Sequence, residues 1–168
     1  FHAVCNDFYG APKTIDMPVW FKEGFAELLH GGKERYQSVG GFRSNEEKKK
    51  FFIDKASQEL NGYWGSSSED YVAAYLIACA MYYLSGSKQE FQKIFQRLEV
   101  ENNVNLNFLY KALPLSENAG TIYDKVIEEM QKMPIWDFSN DPNDPDTCSI
   151  GGSHMMNIYN MPLSAADV

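Results

Sequence analysis

Long apolar runs and concentrated positive charge are both absent from this sequence, and these absences exclude large classes of function. No run approaches the roughly 18 uncharged apolar residues that a membrane-spanning helix needs. The net charge is −8, whereas a protein that binds nucleic-acid phosphates needs a basic surface. The basic run Lys48-Lys49-Lys50 follows Glu46-Glu47 and is typical of a solvated helix face. We therefore expect no membrane insertion and no nucleic-acid partner.

Cysteine is also scarce, and three familiar signatures of function are missing. Cys5, Cys79 and Cys148 lie far apart without metal-type spacing, and an odd number of thiols cannot pair completely within the chain. Cys5 and Cys79 fall in apolar patterns, so we expect buried free thiols there. The sequence has no glycine-rich phosphate loop, no Cys-x-x-Cys and no Gly-x-Ser-x-Gly, so none of these signatures indicates a function.

The pattern that is present is almost entirely helical. Hydrophobic residues make up 44% of the 168 positions and aromatic residues 14%, which is enough for the well-packed core of one domain. Capping residues, apolar spacing and glycines predict helices at 1–9, from Asp16 to Gly31, and at 44–60, 70–84, 87–98, 104–112 and 121–132. The helix at 70–84, with Ser66 or Ser68 as its predicted N-cap, is apolar all round and should be central. The sequence therefore predicts an all-α fold.

The composition changes from Trp136 onward, which divides the chain into a helical domain at 1–135 and a loop-rich tail or linker at 136–168. Asp137, Asp141, Asp144 and Asp146 interleave with asparagine and proline in this tail. Such a segment offers oxygen ligands for Ca²⁺, but it lacks the fixed spacing of a known calcium loop. Because these residue types are typical of turns, we favour a turn and keep calcium binding as the alternative.

The stretch from Trp20 to Gly31 combines a polar face with an apolar remainder. As a helix it places Glu23, Glu27 and His30 on one face, since positions three and four apart are neighbours. Most of the remaining surface is apolar, so the polar face is expected to border a cleft in which a metal or an active site would lie. We interpret His30, at the helix end, as a partner of the helix dipole, with the alternative that it lines the cleft.

The run from Trp20 to Glu27, Trp-Phe-Lys-Glu-Gly-Phe-Ala-Glu, resembles the third-ligand helix of gluzincin-type zinc metallopeptidases. With the trailing His-Gly it is similar to the metallopeptidase domain inserted in some bacterial flagellins, which resembles the collagenase catalytic domain. The resemblance implies that Glu23 is a zinc ligand and that Glu27 orients a ligand histidine from the second shell. It also implies that the fold is the helical C-terminal half of a zincin-like catalytic domain.

The first residues of the chain extend the same resemblance. In the family, His-Glu-x-x-His is commonly followed by Ala-Val, and this chain opens Phe1-His2-Ala3-Val4. The resemblance implies that His2 is a zinc ligand, 21 positions before Glu23. The first histidine and the catalytic glutamate would then lie upstream of residue 1, so we expect a fragment that is inactive on its own. Taken alone, His2 would be interpreted as a partly buried core histidine.

The run from Asp70 to Tyr75 resembles the Asp-Tyr-x-Ala-Gly-Tyr run of the flagellin-type domains, with Ala74 where that family has glycine. In related gluzincins a tyrosine in a similar run donates a hydrogen bond to the oxyanion that forms during hydrolysis. The resemblance implies this catalytic role for Tyr71. The alternative is that Tyr71 and Tyr75 are core aromatic residues one helical turn apart.

The activity that the resemblance implies is zinc-dependent hydrolysis of peptide bonds, with a peptide or protein as substrate. Zinc held by two histidines and a glutamate leaves one position for water, lowers the pKa of that water and polarises the scissile carbonyl. The resemblance also implies a bacterial extracellular or cell-surface location, and it leaves the oligomeric state open. Two alternatives remain: an inactive metallopeptidase-like module of a bacterial surface or filament protein, and a helical binding module without metal.

Overall fold

The computed structural model describes residues 7, 9, 10, 15, 17–30, 32–100 and 122–133, and their regular structure is helical. The helices defined in these ranges are α1 (Val19–His30), α2 (Lys33–Ser38), α3 (Asn45–Leu60), α4 (Ser68–Ser85), α5 (Lys88–Val100) and α6 (Ile122–Lys132). No strand occurs among the described residues, which confirms the predicted all-α class. None of the helices in this part of the chain has the length and apolarity needed to cross a membrane.

Helix α4 lies at the centre of the fold, as its apolar sequence predicts. Every side chain from Val72 to Met81 is buried, because neighbouring helices cover α4 on several sides. Helices α1, α3, α5 and α6 all pack against it. Aromatic side chains also join α1 to α5: the ring centre of Phe25 lies 5.6 Å from that of Phe91 and 5.1 Å from that of Phe95. These contacts fix α1, which carries the predicted site, against the core.

Side-chain caps begin α3 and α5 at the predicted positions. Ser44 accepts a hydrogen bond of 3.1 Å from the backbone N–H of Glu47, and Ser87 accepts one of 3.2 Å from the N–H of Glu90. Each serine thereby satisfies one of the N–H groups that a helix leaves without an internal partner. Both predicted helix starts are confirmed. A cap is a local pattern, so it can be predicted without knowledge of the tertiary fold.

The N-cap of α4 is Ser67, so the predicted N-cap, Ser66 or Ser68, is wrong. Ser67 has the extended backbone of an N-cap and accepts a hydrogen bond of 3.3 Å from the N–H of Asp70. In return, the N–H of Ser67 donates to the Asp70 carboxylate at 2.7 Å. Ser66 has a positive φ of 61°, and Ser68 is already the first helical residue. The cap therefore lies three residues before the carboxylate that must reach back to it.

Two glycines allow α1 and the turn after it to approach α4 closely. A methyl group added at Gly24 would lie 2.2 Å from the carbonyl oxygen of Ala74, so the two helix backbones touch there. A methyl group added at Gly32 would lie 2.6 Å from the ring of Tyr75. The backbones can meet although residue 74 is alanine, because Gly24 on α1 has no side chain.

The short helix α2, which has six residues, is not predicted by the sequence pattern. Its Tyr36 is buried, and the ammonium group of Lys48 lies 4.1 Å from the ring centre of Tyr36 while donating a 2.6 Å hydrogen bond to the Tyr36 carbonyl. Lys49 donates to the carbonyl of Gln131 on α6 at 2.8 Å. The prediction of a solvated lysine face therefore holds for Lys50, which is exposed. Lys48 and Lys49 are partly buried and form hydrogen bonds that link α3 to α2 and α6.

Some of the predictions fall outside the described residues. They concern Cys5 and Cys148, the helix at 104–112, the domain boundary at 135 and the Asp137–Asp146 segment with its calcium alternative. Within the described part, Cys79 is buried, as its apolar setting predicts. Asp7 and Tyr9 are helical, and the Tyr9 hydroxyl donates to the carbonyl of Phe95 at 3.2 Å. That bond ties Tyr9 to α5.

Candidate functional site

The polar face of α1 carries a carboxylate held by a bidentate ion pair. Oε1 of Glu27 accepts a hydrogen bond from Nη2 of Arg35 on α2 at 2.9 Å, and Oε2 accepts one from Nε at 3.0 Å. The Glu27 side chain is 10% exposed and that of Arg35 is 37% exposed. The hydrogen bond with Glu27 outweighs the effect of burial and raises the pKa of the Arg35 guanidinium. Two parallel bonds of this kind give the pair a defined geometry.

Glu27 also fixes the turn between α1 and α2 through its backbone. Its carbonyl accepts a 2.8 Å hydrogen bond from the N–H of Gly32, which follows the end of α1. At the other end of α2, the carbonyl of Arg35 accepts hydrogen bonds from the Ser38 hydroxyl at 2.8 Å and the Val39 N–H at 3.2 Å. Backbone bonds therefore hold both partners of the ion pair in place.

The Arg35 guanidinium also contacts Tyr71, in the first turn of α4. Its Cζ lies 5.0 Å from the ring centre of Tyr71, within the range of a cation–π interaction. Trp64 meets the same ring edge-on, with centroids 5.2 Å apart and an interplanar angle of 77°. Tyr71 is partly exposed, whereas Tyr75 is buried beside Cys79, and burial raises the pKa of Tyr75 well above its usual range. Of the two tyrosines, Tyr75 therefore fits the alternative interpretation as a core aromatic residue, and the partly exposed Tyr71 does not.

Of the two predicted zinc ligands, Glu23 is described and His2 lies outside the described residues. Glu23 is partly buried on α1 one turn before Glu27, so the two carboxylates share a face. The described residues contain no group of three or more His, Cys, Asp or Glu side chains placed to hold a metal ion. Glu23 is a partly buried carboxylate, a side-chain type that binds zinc. Each Glu27 oxygen retains a second lone pair that could accept a histidine N–H.

The contacts of Arg35 and Trp64 are not predicted by the sequence pattern. Arg35 follows Glu27 by eight residues across a turn, so helical periodicity does not relate the two side chains. The only sequence feature that points to this contact is the pair Gly31-Gly32. It predicts a turn after α1, and such a turn brings the following residues back towards α1. That signal does not specify which of the following side chains reaches Glu27.

A second polar cluster lies at the start of α4. Asp70 is fully buried; its Oδ1 lies 2.7 Å from Nζ of Lys55 on α3, and its Oδ2 accepts the Ser67 N–H. Burial alone would raise the pKa of Asp70, but the hydrogen bonds from Lys55 and Ser67 lower it overall. Glu59 is 0% exposed, and its oxygens have no hydrogen-bond partner among the described residues. Burial, together with the neighbouring Asp70, raises the pKa of Glu59 to about 9 despite the opposing effect of Lys55.

Replacing Glu59 by glutamine should remove a pH dependence of the free energy of unfolding. Below the ordinary pKa of 4.5 both folded and unfolded chains hold the proton, so the stabilising effect of the raised pKa is fully present. As pH rises from 4.5 towards 9, the unfolded chain releases the proton while the folded chain retains it, so stability is lost. The loss is on the order of 2 kcal/mol between about pH 6 and about pH 7.5.

Urea denaturation of the wild type and Glu59→Gln at several pH values measures this difference. We expect the glutamine variant to be the more stable above neutrality and the two chains to converge near pH 4.5. Glu46→Gln, at an exposed position in the first turn of α3, is the matched control and should keep the wild-type pH dependence. An unchanged pH dependence in Glu59→Gln would contradict a protonated Glu59 in the folded chain.

Comparisons with protein-family models, curated proteins and solved structures return no match to this chain. The function is therefore argued from the side chains of the described residues. They provide a carboxylate face on α1, a guanidinium that holds one of these carboxylates, and a tyrosine on α4 in contact with that guanidinium.

Proposed function

We propose that this chain is the helical part of a gluzincin-type zinc metallopeptidase, which hydrolyses peptide bonds. The observation that carries the proposal is the polar bridge from Glu27 through Arg35 to Tyr71, beside the face that also presents Glu23. Glu27 and Tyr71 belong to separate sequence motifs and separate helices, and a shared active site requires them to be close together. The proposed substrate is a peptide or protein, and the proposed setting is extracellular or at a bacterial cell surface.

The residues of the chain have distinct roles in the proposed site. His2 and Glu23 would hold zinc, and the proposed site also requires a second histidine ligand and a general-base glutamate. Bound zinc would supply Lewis-acid polarisation of the scissile carbonyl and lower the pKa of water. Glu27 would accept the N–H of a ligand histidine and thereby fix the orientation of its ring. Tyr71 would donate its hydroxyl to the negative charge that develops on the substrate carbonyl oxygen.

Replacing Glu23 by alanine should abolish stoichiometric zinc binding. The test uses a longer chain in which the residues that complete the His-Glu-x-x-His motif precede Phe1, because the proposed ligand set needs them. We expect zinc affinity to fall by more than about 100-fold, since even residues that only support a ligand contribute up to that factor. Metal content after dialysis and competition with a chelator measure the effect. Glu46→Ala, at an exposed position on α3, should keep the zinc.

The results of this experiment separate the proposal from its alternatives. Zinc that is present in the wild type and in Glu46→Ala, but absent from a folded Glu23→Ala, supports the proposed ligand. Equal zinc content in all three chains would assign the metal to other residues. A folded wild type without zinc would favour an inactive metallopeptidase-like module, or a helical binding module in which Trp20, Phe21 and Phe25 only build the core.

A further inference from the structure

Arg35 contacts two residues to which the proposed function gives different roles. Its Nε and Nη2 donate to the two oxygens of Glu27 at 3.0 Å and 2.9 Å, and its Cζ lies 5.0 Å from the ring centre of Tyr71. A guanidinium can do both because its edge carries a fork of N–H donors and its flat face stacks on an aromatic ring. A lysine ammonium offers neither the fork nor the flat face.

The contacts of Arg35 fix the orientation of the side chains around it. Arg35 binds the Glu27 carboxylate through two hydrogen bonds, which fixes the direction of the guanidinium plane. Trp64 contacts the Tyr71 ring at an angle of 77°. The Glu27 side chain is 10% exposed and that of Arg35 is 37% exposed, so the pair lies at the border between the core and solvent.

We propose that Arg35 is a positioning residue, which holds the Glu27 carboxylate and the Tyr71 phenol in a single arrangement. This inference rests on the proposed metallopeptidase function. Tyr71 can stabilise the oxyanion only if its hydroxyl lies at hydrogen-bond distance from the place where the charge develops. Because that charge exists in the transition state and not in the bound substrate, loss of Arg35 affects kcat and leaves KM nearly unchanged.

Steady-state kinetics of Arg35→Lys, in the longer chain that completes the His-Glu-x-x-His motif, tests this role. We expect kcat to fall about 10- to 100-fold, because a donor displaced by about 1 Å loses most of its effect. KM should stay within about twofold of the wild type when zinc is saturating, whereas zinc affinity should fall by up to about 100-fold, because Arg35 holds the carboxylate that orients a ligand histidine. The control is Arg43→Lys, because the Arg43 side chain is 92% exposed and pairs only loosely with Glu47 at 3.7 Å. It should leave kcat unchanged.

A double variant distinguishes positioning from a general weakening of the fold. If Arg35 acts through Tyr71, then Tyr71→Phe should lower kcat about 100-fold in the wild type but far less when added to Arg35→Met. Losses that simply multiply would overturn the positioning role, because they would show that the two residues act independently. Thermal unfolding of each variant verifies that the kinetic assays are made on folded protein.

Failure of this inference and failure of the proposed function give different results. If the wild type binds zinc and cleaves peptides while Arg35→Lys keeps its kcat, the positioning role is wrong and the metallopeptidase function stands. If the wild type neither binds zinc nor cleaves peptides, the proposed function is wrong and the positioning role is wrong with it.

Discussion

Replacing Gly24 by alanine should lower the free energy of unfolding by more than about 3 kcal/mol. The added methyl group would lie 2.2 Å from the carbonyl oxygen of Ala74, a separation that non-bonded atoms do not adopt. The obstructing atom is backbone, so it cannot rotate away as a side chain would, and α1 must move from α4. Separation of these helices would disturb Phe21 and Phe25, which are fully buried on α1. The gain in helix propensity, about 1 kcal/mol at most, is too small to compensate.

Urea denaturation of Gly24→Ala beside Gly40→Ala measures this effect. Gly40 has no atom within 4 Å of an added methyl group, so its variant should stay within about 0.5 kcal/mol of the wild type. A Gly24→Ala protein as stable as the wild type would show that α1 and α4 do not meet through their backbones. It would also weaken the proposed site, because Arg35 can link Glu27 on α1 to Tyr71 on α4 only while the helices stay together.

Replacing Asp70 by alanine should cost about 4 kcal/mol of stability at neutral pH. The change removes the carboxylate that pairs with Lys55 at 2.7 Å, and the Lys55 side chain is only 16% exposed. It also removes the half of the cap in which the Ser67 N–H donates to the Asp70 carboxylate, while the bond from the backbone N–H of residue 70 to the Ser67 hydroxyl remains. The two losses act at the same place, the first turn of the central helix. Tyr71 follows directly in the sequence, so this turn also supports the proposed site.

Two further variants separate the contributions of Asp70. Asp70→Asn keeps a side-chain oxygen for the cap but loses the charge, so it should be intermediate between the wild type and Asp70→Ala. Asp54→Ala, at an exposed position on α3, should change stability by less than about 0.5 kcal/mol. Because Asp70 helps to raise the pKa of Glu59, its removal should also weaken the pH dependence assigned to Glu59. Equal stability of wild type and Asp70→Ala would contradict a structural role for the ion pair.

Local patterns in the sequence predicted much of the fold. The helix starts at Ser44 and Ser87 follow from a capping residue that acts on an N–H three positions later. Burial of α4 on all sides follows from its apolar composition. The shared face of Glu23 and Glu27 follows from helical periodicity, which is fixed by backbone geometry. Each of these features depends on residues close together in the chain.

The features that the sequence did not predict depend on contacts between helices. Helix α2 is too short to be stable alone, and it is held by Gly32 against Tyr75 and by Lys48 against Tyr36. The bridge through Arg35 joins residues from three helices, so no spacing in the sequence specifies it. Glu59 is a similar case, since a carboxyl group at that position in a helix is ordinarily exposed.

Cleavage of a broad peptide library by the longer chain, before and after removal of zinc, tests the metallopeptidase proposal most directly. We expect hydrolysis that stops when a chelator removes the metal, returns when zinc is restored, and is absent from Glu23→Ala. Glu46→Ala should cleave the library as the wild type does. A folded, zinc-supplied wild type that cleaves no peptide would contradict the proposed activity, and Glu23, Glu27 and Tyr71 would then need a structural or binding role.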